Sequence, residues 1–423
     1  MAEIKRIIEV FAHWQGMEQA QKMGILTAVQ LRGKEIFSFA YDKQWLSLSH
    51  AQHPIDPDLA LYGGPQFLND GKSNFGVFLD SSPDRWGRLL MRRREALQAR
   101  LEARKENTLF ETDYLLGVYD QHRMGAIRFK TASTQSFLND DTAMAAPPFT
   151  SLRALEEASL ALEKDDGIDN PAYLKWLNML IAPGSSLGGA RPKASVIDKQ
   201  HNLWIAKFPS THDPIDIGLW EMLVHDLAQQ SGIEVPQAMI QKFSSPYHTY
   251  LSKRFDRSPT GDRIHFASAM TLLGYTDGTD HQDGASYIEL AAFIIKNGVN
   301  PTMDLEQLWR RIVFNICVTN TDDHLRNHGF LLTPQGWVLS PAYDINPVPT
   351  GTGLKLNISE NDNALDLDLA LEVSIVFRIN ATKAKEIIQH IKQTVRQWRT
   401  LAQKYRISPT AQMLMEKAFE KAN

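Results

Sequence analysis

Three oxygen-bearing side chains near residue 320 have the types and spacing for phosphoryl transfer. Asp322 and Asn327 stand five positions apart in Asn320-Thr321-Asp322-Asp323-His324-Leu325-Arg326-Asn327. That is the interval between the base and the metal-binding Asn of a catalytic loop H-R-D-x-x-x-x-N. Phosphoryl transfer needs a carboxylate that orients the attacking hydroxyl and accepts its proton. It also needs oxygen ligands for Mg²⁺, a hard ion that takes one or two carboxylates together with substrate phosphates. Asp322 suits the first role, and Asn327 and Asp344 suit the second. Two other readings stand beside this one. Asp322, His324 and Asp344 are a conceivable hydrolase-type metal site. Asp and Asn also cap helices and close turns without doing chemistry.

Phosphate also needs a cradle, and Ser185-Ser186-Leu187-Gly188-Gly189-Ala190-Arg191-Pro192-Lys193 offers one. It is neither a Walker A loop nor a dinucleotide fingerprint. Its glycines let backbone N–H groups approach an anion, while Arg191 and Lys193 add charge. A plain turn before a strand is the alternative. Lys207 follows near the end of the apolar strand Leu203 to Pro209, and Glu221 lies on a helix from about Ile217 to Gln230. A lysine and a glutamate in that order can form the pair that holds a nucleotide's phosphates.

The elements that must position these groups are legible to a first order. Gly329–Leu332 and Gly336–Leu339 read as a hairpin around Thr333-Pro334-Gln335-Gly336, returning Asp344 toward Asn327. Helices are expected over Tyr287–Asn297, Leu305–Val318, Ala381–Leu401 and Thr410–Ala422. At the N-terminus Ile4, Ile7, Ile8 and Phe11 have helical spacing. Strands follow from Ile25 to Arg32 and from Ile36 to Tyr41, joined at Gly33-Lys34, with another at Gly125–Phe129. Ser82 is the expected N-cap, with Pro83 opening a basic helix that runs to Arg104. Residues 131–149 have a linker's composition.

The chain has 423 residues, enough for two or three domains. Its 45 Lys+Arg against 49 Asp+Glu give a net charge of −4, which argues against nucleic acid as the main ligand. Cys317 sits alone in an apolar run, so no disulfide framework exists within one chain. No apolar stretch is long enough to span a bilayer and no signal peptide opens the chain, which points to a cytoplasmic protein without a membrane partner.

Five ordered motifs resemble the HipA family, serine/threonine kinases that act as toxins in type II toxin–antitoxin systems. They are Ser186 to Lys193, Lys207-Phe208-Pro209, Lys253-Arg254-Phe255-Asp256-Arg257, Asn320 to Asn327, and Pro341-Ala342-Tyr343-Asp344. Phe39–Asp42, Ser82–Arg88 and Gly125–Ile127 look like that family's N-terminal subdomain, so the resemblance covers nearly the whole chain. It implies an α+β, two-lobed kinase-like fold: a β-rich N-terminal subdomain over residues 1–140, a kinase N-lobe over 141–257 and a mostly helical C-lobe over 258–423. It implies ATP and Mg²⁺ as cofactors, with Asp322 as catalytic base and Asn327 and Asp344 as metal ligands. Gly188, Gly189, Ala190, Lys193, Lys207, Glu221, Phe255 and Asp256 are the implied ATP-binding residues. Ser186, or alternatively Ser185, is the implied site of an autophosphorylation that switches the kinase off. The implied partners are a HipB-like helix-turn-helix antitoxin, with DNA met only through it, and a protein substrate such as an aminoacyl-tRNA synthetase.

Lys253 stands where the family commonly has Glu, Asp323 where it has Gly, and Arg191-Pro192 in place of a Gln-Glu type pair. Asp323 is expected to add a charge beside the site. Two rival functions remain: a kinase-fold co-repressor acting with an antitoxin on DNA, and a small-molecule kinase whose cationic acceptor would meet Asp277, Asp280 and Asp283.

Overall fold

In the computed structural model, which describes residues 4–48, 52–69, 71–164, 173, 176, 177, 180 and 191–423, the chain begins with a strand. Strand β1 (Ile4–Ala12) replaces the expected helix. Ile8, Val10 and Ala12 are buried in strict alternation, and this period of two wins over the helical spacing of Ile4, Ile7, Ile8 and Phe11. It pairs antiparallel with β2 (Gln21–Leu31), which pairs with β3 (Lys34–Tyr41). The β2–β3 turn is Arg32–Gly33, one residue earlier than expected. Both have positive φ (50° and 80°), the geometry whose twist matches the flanking strands. With β4 (Pro65–Phe67) and β5 (Ile127–Thr131) the sheet order is β4-β3-β2-β1-β5. Phe39, Phe75, Phe78 and Phe129 form a contiguous aromatic core on it.

The chain divides into two units. The first comprises residues 1–212, 243–245 and 253–267, and the second holds residues 213–242, 246–252 and 268–423. In the first unit the basic helix is Arg85–Leu101, and its N-cap is Asp84 rather than Ser82. The Asp84 carboxylate accepts from Gly87 N at 2.8 Å, whereas the Ser82 hydroxyl turns back to Phe78 O at 2.8 Å. Carboxylate and hydroxyl compete for the cap here, and Ser82 instead closes the preceding helix, Gly76–Asp80. The linker-like segment lies along β5, with Leu138 N on Phe129 O and Asn139 N on Val118 O. Strands β6 (Lys193–Ile197) and β7 (Leu203–Lys207) are antiparallel, with Lys193 opposite Lys207.

The second unit is mostly helical. Helix Ile217–Gln230 is capped by Asp216, whose Oδ1 accepts from Leu219 N and from His248 N (3.2 and 3.0 Å). One carboxylate thus fixes both the helix and the antiparallel strand pair Ala238–Lys242 and His248–Lys253. Helix Tyr287–Asn297 opens with a capping box of Ser286 and Glu289, and Pro301–Cys317 has proline in its first turn. The hairpin Gly329–Thr333 and Gly336–Leu339 is as expected. The long C-terminal helix breaks at Arg396–Gln397 into Ala381–Val395 and Trp398–Lys404, and the last one ends in a 3₁₀ segment, Glu416–Ala422. The break lets Trp398 stack on Phe419 at 4.6 Å beside Trp220.

Candidate active site

Helix Pro301–Cys317 ends at Val318, and Thr319 takes a left-handed φ of 49° to start the loop that carries Asp322. Asp322 is exposed, and among the described residues its carboxylate has no hydrogen-bond partner. A general base needs that access. Its carbonyl oxygen is held by Asn327, whose Nδ2 donates at 3.0 Å. This bond aims the other end of the Asn327 amide. The Oδ1 is buried and has no partner among the described residues, an orphaned acceptor of the kind a hard cation satisfies.

Asp323 does not add a charge to the surface beside the base. It is turned into the core, accepting from Tyr287 Oη (2.5 Å), Asn315 Nδ2 (2.7 Å) and His328 Nε2 (2.9 Å). Burial alone would raise its pKa. The imidazole of His328 and these donors outweigh burial and hold the carboxyl below its ordinary value. Burial, and then Asp323 itself, push the Tyr287 hydroxyl far up, so it remains a donor.

From Asp323 a hydrogen-bonded path runs to Asp344. Asn320 Nδ2 donates to Asn315 Oδ1 (3.1 Å), Asn346 N to Asn320 Oδ1 (3.4 Å), and Asn346 Nδ2 to Asp344 Oδ1 (3.1 Å). Val348 N on Thr319 O (3.1 Å) fastens the same two loops. The base loop and the loop carrying Asp344 are thus joined through amide side chains. Asp344 has a left-handed φ of 59°. Its charge and that of Glu221 both raise the pKa of buried Tyr250, after burial itself, so the two carboxylates share one neighbourhood of the second unit. Tyr287, Asn315, Asn320, His328 and Asn346 are supporting residues that pattern reading misses. Their only signal is the density of Asn between 315 and 327.

The rival sites are not assembled. Among the described residues no three His, Cys, Asp or Glu side chains converge on a possible metal position, so Asp322, His324 and Asp344 do not form the hydrolase-type site. The acidic trio for a cationic acceptor is engaged elsewhere. Asp277 approaches Arg326 at 3.5 Å, Asp280 caps a 3₁₀ turn, and Asp283 accepts from Asp280 N.

In the first unit, Lys207 ends β7, half-buried. Lys193 is buried and its ammonium lies 3.1 Å from Asp84 Oδ2, the other oxygen of the helix-capping carboxylate. Phe255 packs on Phe266 with ring centroids 6.1 Å apart. Asp256 is fully buried. It accepts from Arg254 (2.8 and 2.6 Å), Arg257 (2.7 Å) and Gly125 N (2.8 Å). Burial would raise its pKa, but Arg254 and Arg257 drive the carboxyl far below its usual range. This carboxylate is committed to the fold, which leaves only the Asp256 backbone to meet a nucleotide. Ser185, Ser186, Gly188, Gly189 and Ala190 lie outside the described residues.

Comparison with known proteins adds to this geometry. The HipA-like C-terminal domain family matches residues 185–398. A provisionally named kinase of Haemophilus influenzae is 25% identical over 187 residues, which are 39% of this chain and 54% of the relative. The serine/threonine-protein kinase toxin HipA of Shewanella oneidensis is 26% identical over 159 residues, 33% of this chain and 36% of the relative. The chain thus spans about half the length, or less, of these relatives. In three dimensions it is similar to a chain from the Shewanella oneidensis MR-1 complex of HipA, HipB and operator DNA. There the TM-score is 0.62 at 20% identity, covering 98% of this chain and 95% of the other. The fold is accordingly α+β and kinase-like. Among the described residues no helix is long and apolar enough to cross a membrane.

Proposed function

The chain belongs to the HipA family, and from that premise we propose that it is an ATP- and Mg²⁺-dependent kinase that phosphorylates a serine or threonine hydroxyl of a protein. The observation that carries this reading is the pairing of an exposed, unpartnered Asp322 carboxylate with the orphaned Oδ1 of Asn327, locked together by one hydrogen bond.

Asp322 would orient the acceptor hydroxyl and take its proton as the new P–O bond forms. Asn327 and Asp344 would hold Mg²⁺, their hard oxygen donors fitting that ion. Bound Mg·ATP supplies the electrophilic phosphorus and a metal ion that offsets the charge on its oxygens. Lys207, Glu221 and Lys193, with the glycine-rich segment Gly188-Gly189-Ala190, are the residues proposed to serve the ATP phosphates. The backbone of Phe255 and Asp256 would meet adenine. Ser186, or Ser185, would receive phosphate in a self-limiting step, since about −1.5 to −2 charges beside a triphosphate repel it.

The HipB and operator DNA in the similar Shewanella complex support a helix-turn-helix antitoxin as partner here, with DNA reached through it. An aminoacyl-tRNA synthetase is the proposed substrate and the cytoplasm the proposed compartment. Incubating purified protein and a cell extract with γ-labelled ATP tests the reading: discrete labelled proteins are expected with the native chain and none with Asp322→Asn. Equal labelling by both proteins rejects it.

A further inference from the structure

The strongest unassigned electrostatic feature lies wholly within the first unit. Five guanidinium groups, from Arg123, Arg128, Arg254, Arg257 and Arg263, are packed there around only two carboxylates, Asp120 and Asp256. That is three positive charges more than the carboxylates these guanidinium groups pair with. The three histidines of the neighbourhood do not add to it. His13, His122 and His265 are all held toward their neutral forms, His122 by burial and then by Arg254, Arg257 and Arg263. The excess is also felt by the arginines themselves, since burial and then Arg257 lower the pKa of Arg263 well below its ordinary value. Burying like charges without counter-charge is costly, and an arrangement of this kind persists where an anion repays it.

A cavity of about 270 Å³ opens beside this cluster. Arg254, Arg257, Arg263 and Lys253 line it, and no Asp or Glu does. Two carboxylates stand nearby but are turned to other partners. Asp198 accepts from Trp204 Nε1 and the Asn202 amide, and Asp262 from the Ser258 and Thr260 hydroxyls. Two cationic donors remain unspent. Arg263, only 8% exposed, gives Nη2 to Asp120, while its Nη1 has no partner among the described residues. Lys253 is half-buried and makes no ion pair among them. The turn Ser258–Gly261 and the Asn202 side chain add neutral polar lining.

We propose that this cavity is a binding site for a phosphate monoester, with Lys253 as its principal hydrogen-bond donor and the buried guanidinium cluster, Arg263 included, supplying the positive field. The volume suits one phosphate group with a small substituent rather than a polyphosphate chain. A charge-assisted hydrogen bond from an ammonium to a dianion is of the strong class of such bonds. The assignment is independent of the kinase reading, because no residue of the proposed phosphotransfer set lines the cavity.

Titration calorimetry with inorganic phosphate and with free phosphoserine, in Mg²⁺-free buffer, tests it. Saturable binding of both is expected in the native chain and in Asp344→Ala. Lys253→Gln and Arg263→Gln should each weaken it by about tenfold or more. Circular dichroism identifies a variant that has lost its fold, and Lys253→Gln, at a half-buried position without partners to release, carries the test if Arg263→Gln does. No saturable binding, unchanged affinity in a folded Lys253→Gln protein, or loss of binding only in Asp344→Ala each overturns the proposal. Binding of inorganic phosphate without phosphoserine overturns the monoester assignment.

Discussion

At the scale of single residues, chemistry and support can be separated by measurement. Asp322→Asn keeps the size and polarity of the base but removes its proton acceptor. Turnover should fall roughly 10²–10⁴-fold with Mg·ATP affinity retained, as a labelled-phosphate assay and calorimetry would report. Near-native turnover rejects Asp322 as the base. Asp344→Ala should instead abolish Mg²⁺-dependent nucleotide binding, and an unchanged Mg·ATP titration would reduce Asp344 to a turn residue. Asp323 belongs to a third class, since it touches neither nucleotide nor acceptor. Tyr287→Phe removes one of its three donors and should cost about 1–3 kcal/mol of stability in urea denaturation. The carboxyl of Asp323 has a folded pKa below its ordinary value. Its stabilisation is therefore complete above the unfolded pKa and lost as pH falls through the folded one. In Tyr287→Phe the folded pKa should rise, so that acid-side loss should be smaller and be complete at a higher pH.

At the scale of elements, one small feature decides how part of the second unit is assembled. A Cβ on Gly218 would lie 2.3 Å from His248 O, so the helix can sit against that strand only without a side chain there. Gly218→Ala should cost roughly 1–3 kcal/mol, visible as a lower thermal midpoint. The helix Ile217–Gln230 itself, the hairpin at 329–339 and the helix Tyr287–Asn297 were all legible in sequence, because period and punctuation agree there. The N-terminal strand was not. Residues 4–11 are apolar at 4, 7, 8, 10 and 11, and only burial of every second residue from Ile8 settles the period. The pairing of Asp322 with Asn327 was also legible, since the two are close in the chain. The inward turn of Asp323 was not, because Tyr287 lies 36 residues away and nothing local announces it. Asp256 reads as a ligand in a motif and proves to be the centre of an ion cluster, as its partner Gly125 stands 131 residues earlier.

At the scale of the whole molecule, acid should attack the first unit before the carboxylates of the second are protonated. His122 and His265 are pushed down from 6.5 to about 3, in both cases chiefly by burial. Such groups stabilise fully above pH 6.5, and that contribution is lost as pH falls toward 3, with a slope of up to about 1.4 kcal/mol per pH unit for each. His265→Phe preserves an aromatic face for Trp14, which stacks on His265 at 5.4 Å. It should flatten the stability profile over that window, and an unchanged profile would show that His265 does not titrate on unfolding. The Asp84 carboxylate, finally, limits how this protein can be divided. One oxygen starts a helix near residue 85 and the other faces the Lys193 ammonium, while the segment that matches the family begins only at residue 185. Evolutionary modularity and folding autonomy therefore part company here. A chain starting at residue 185 would lose the Asp84 carboxylate that faces the buried Lys193 ammonium, and it should express as insoluble material.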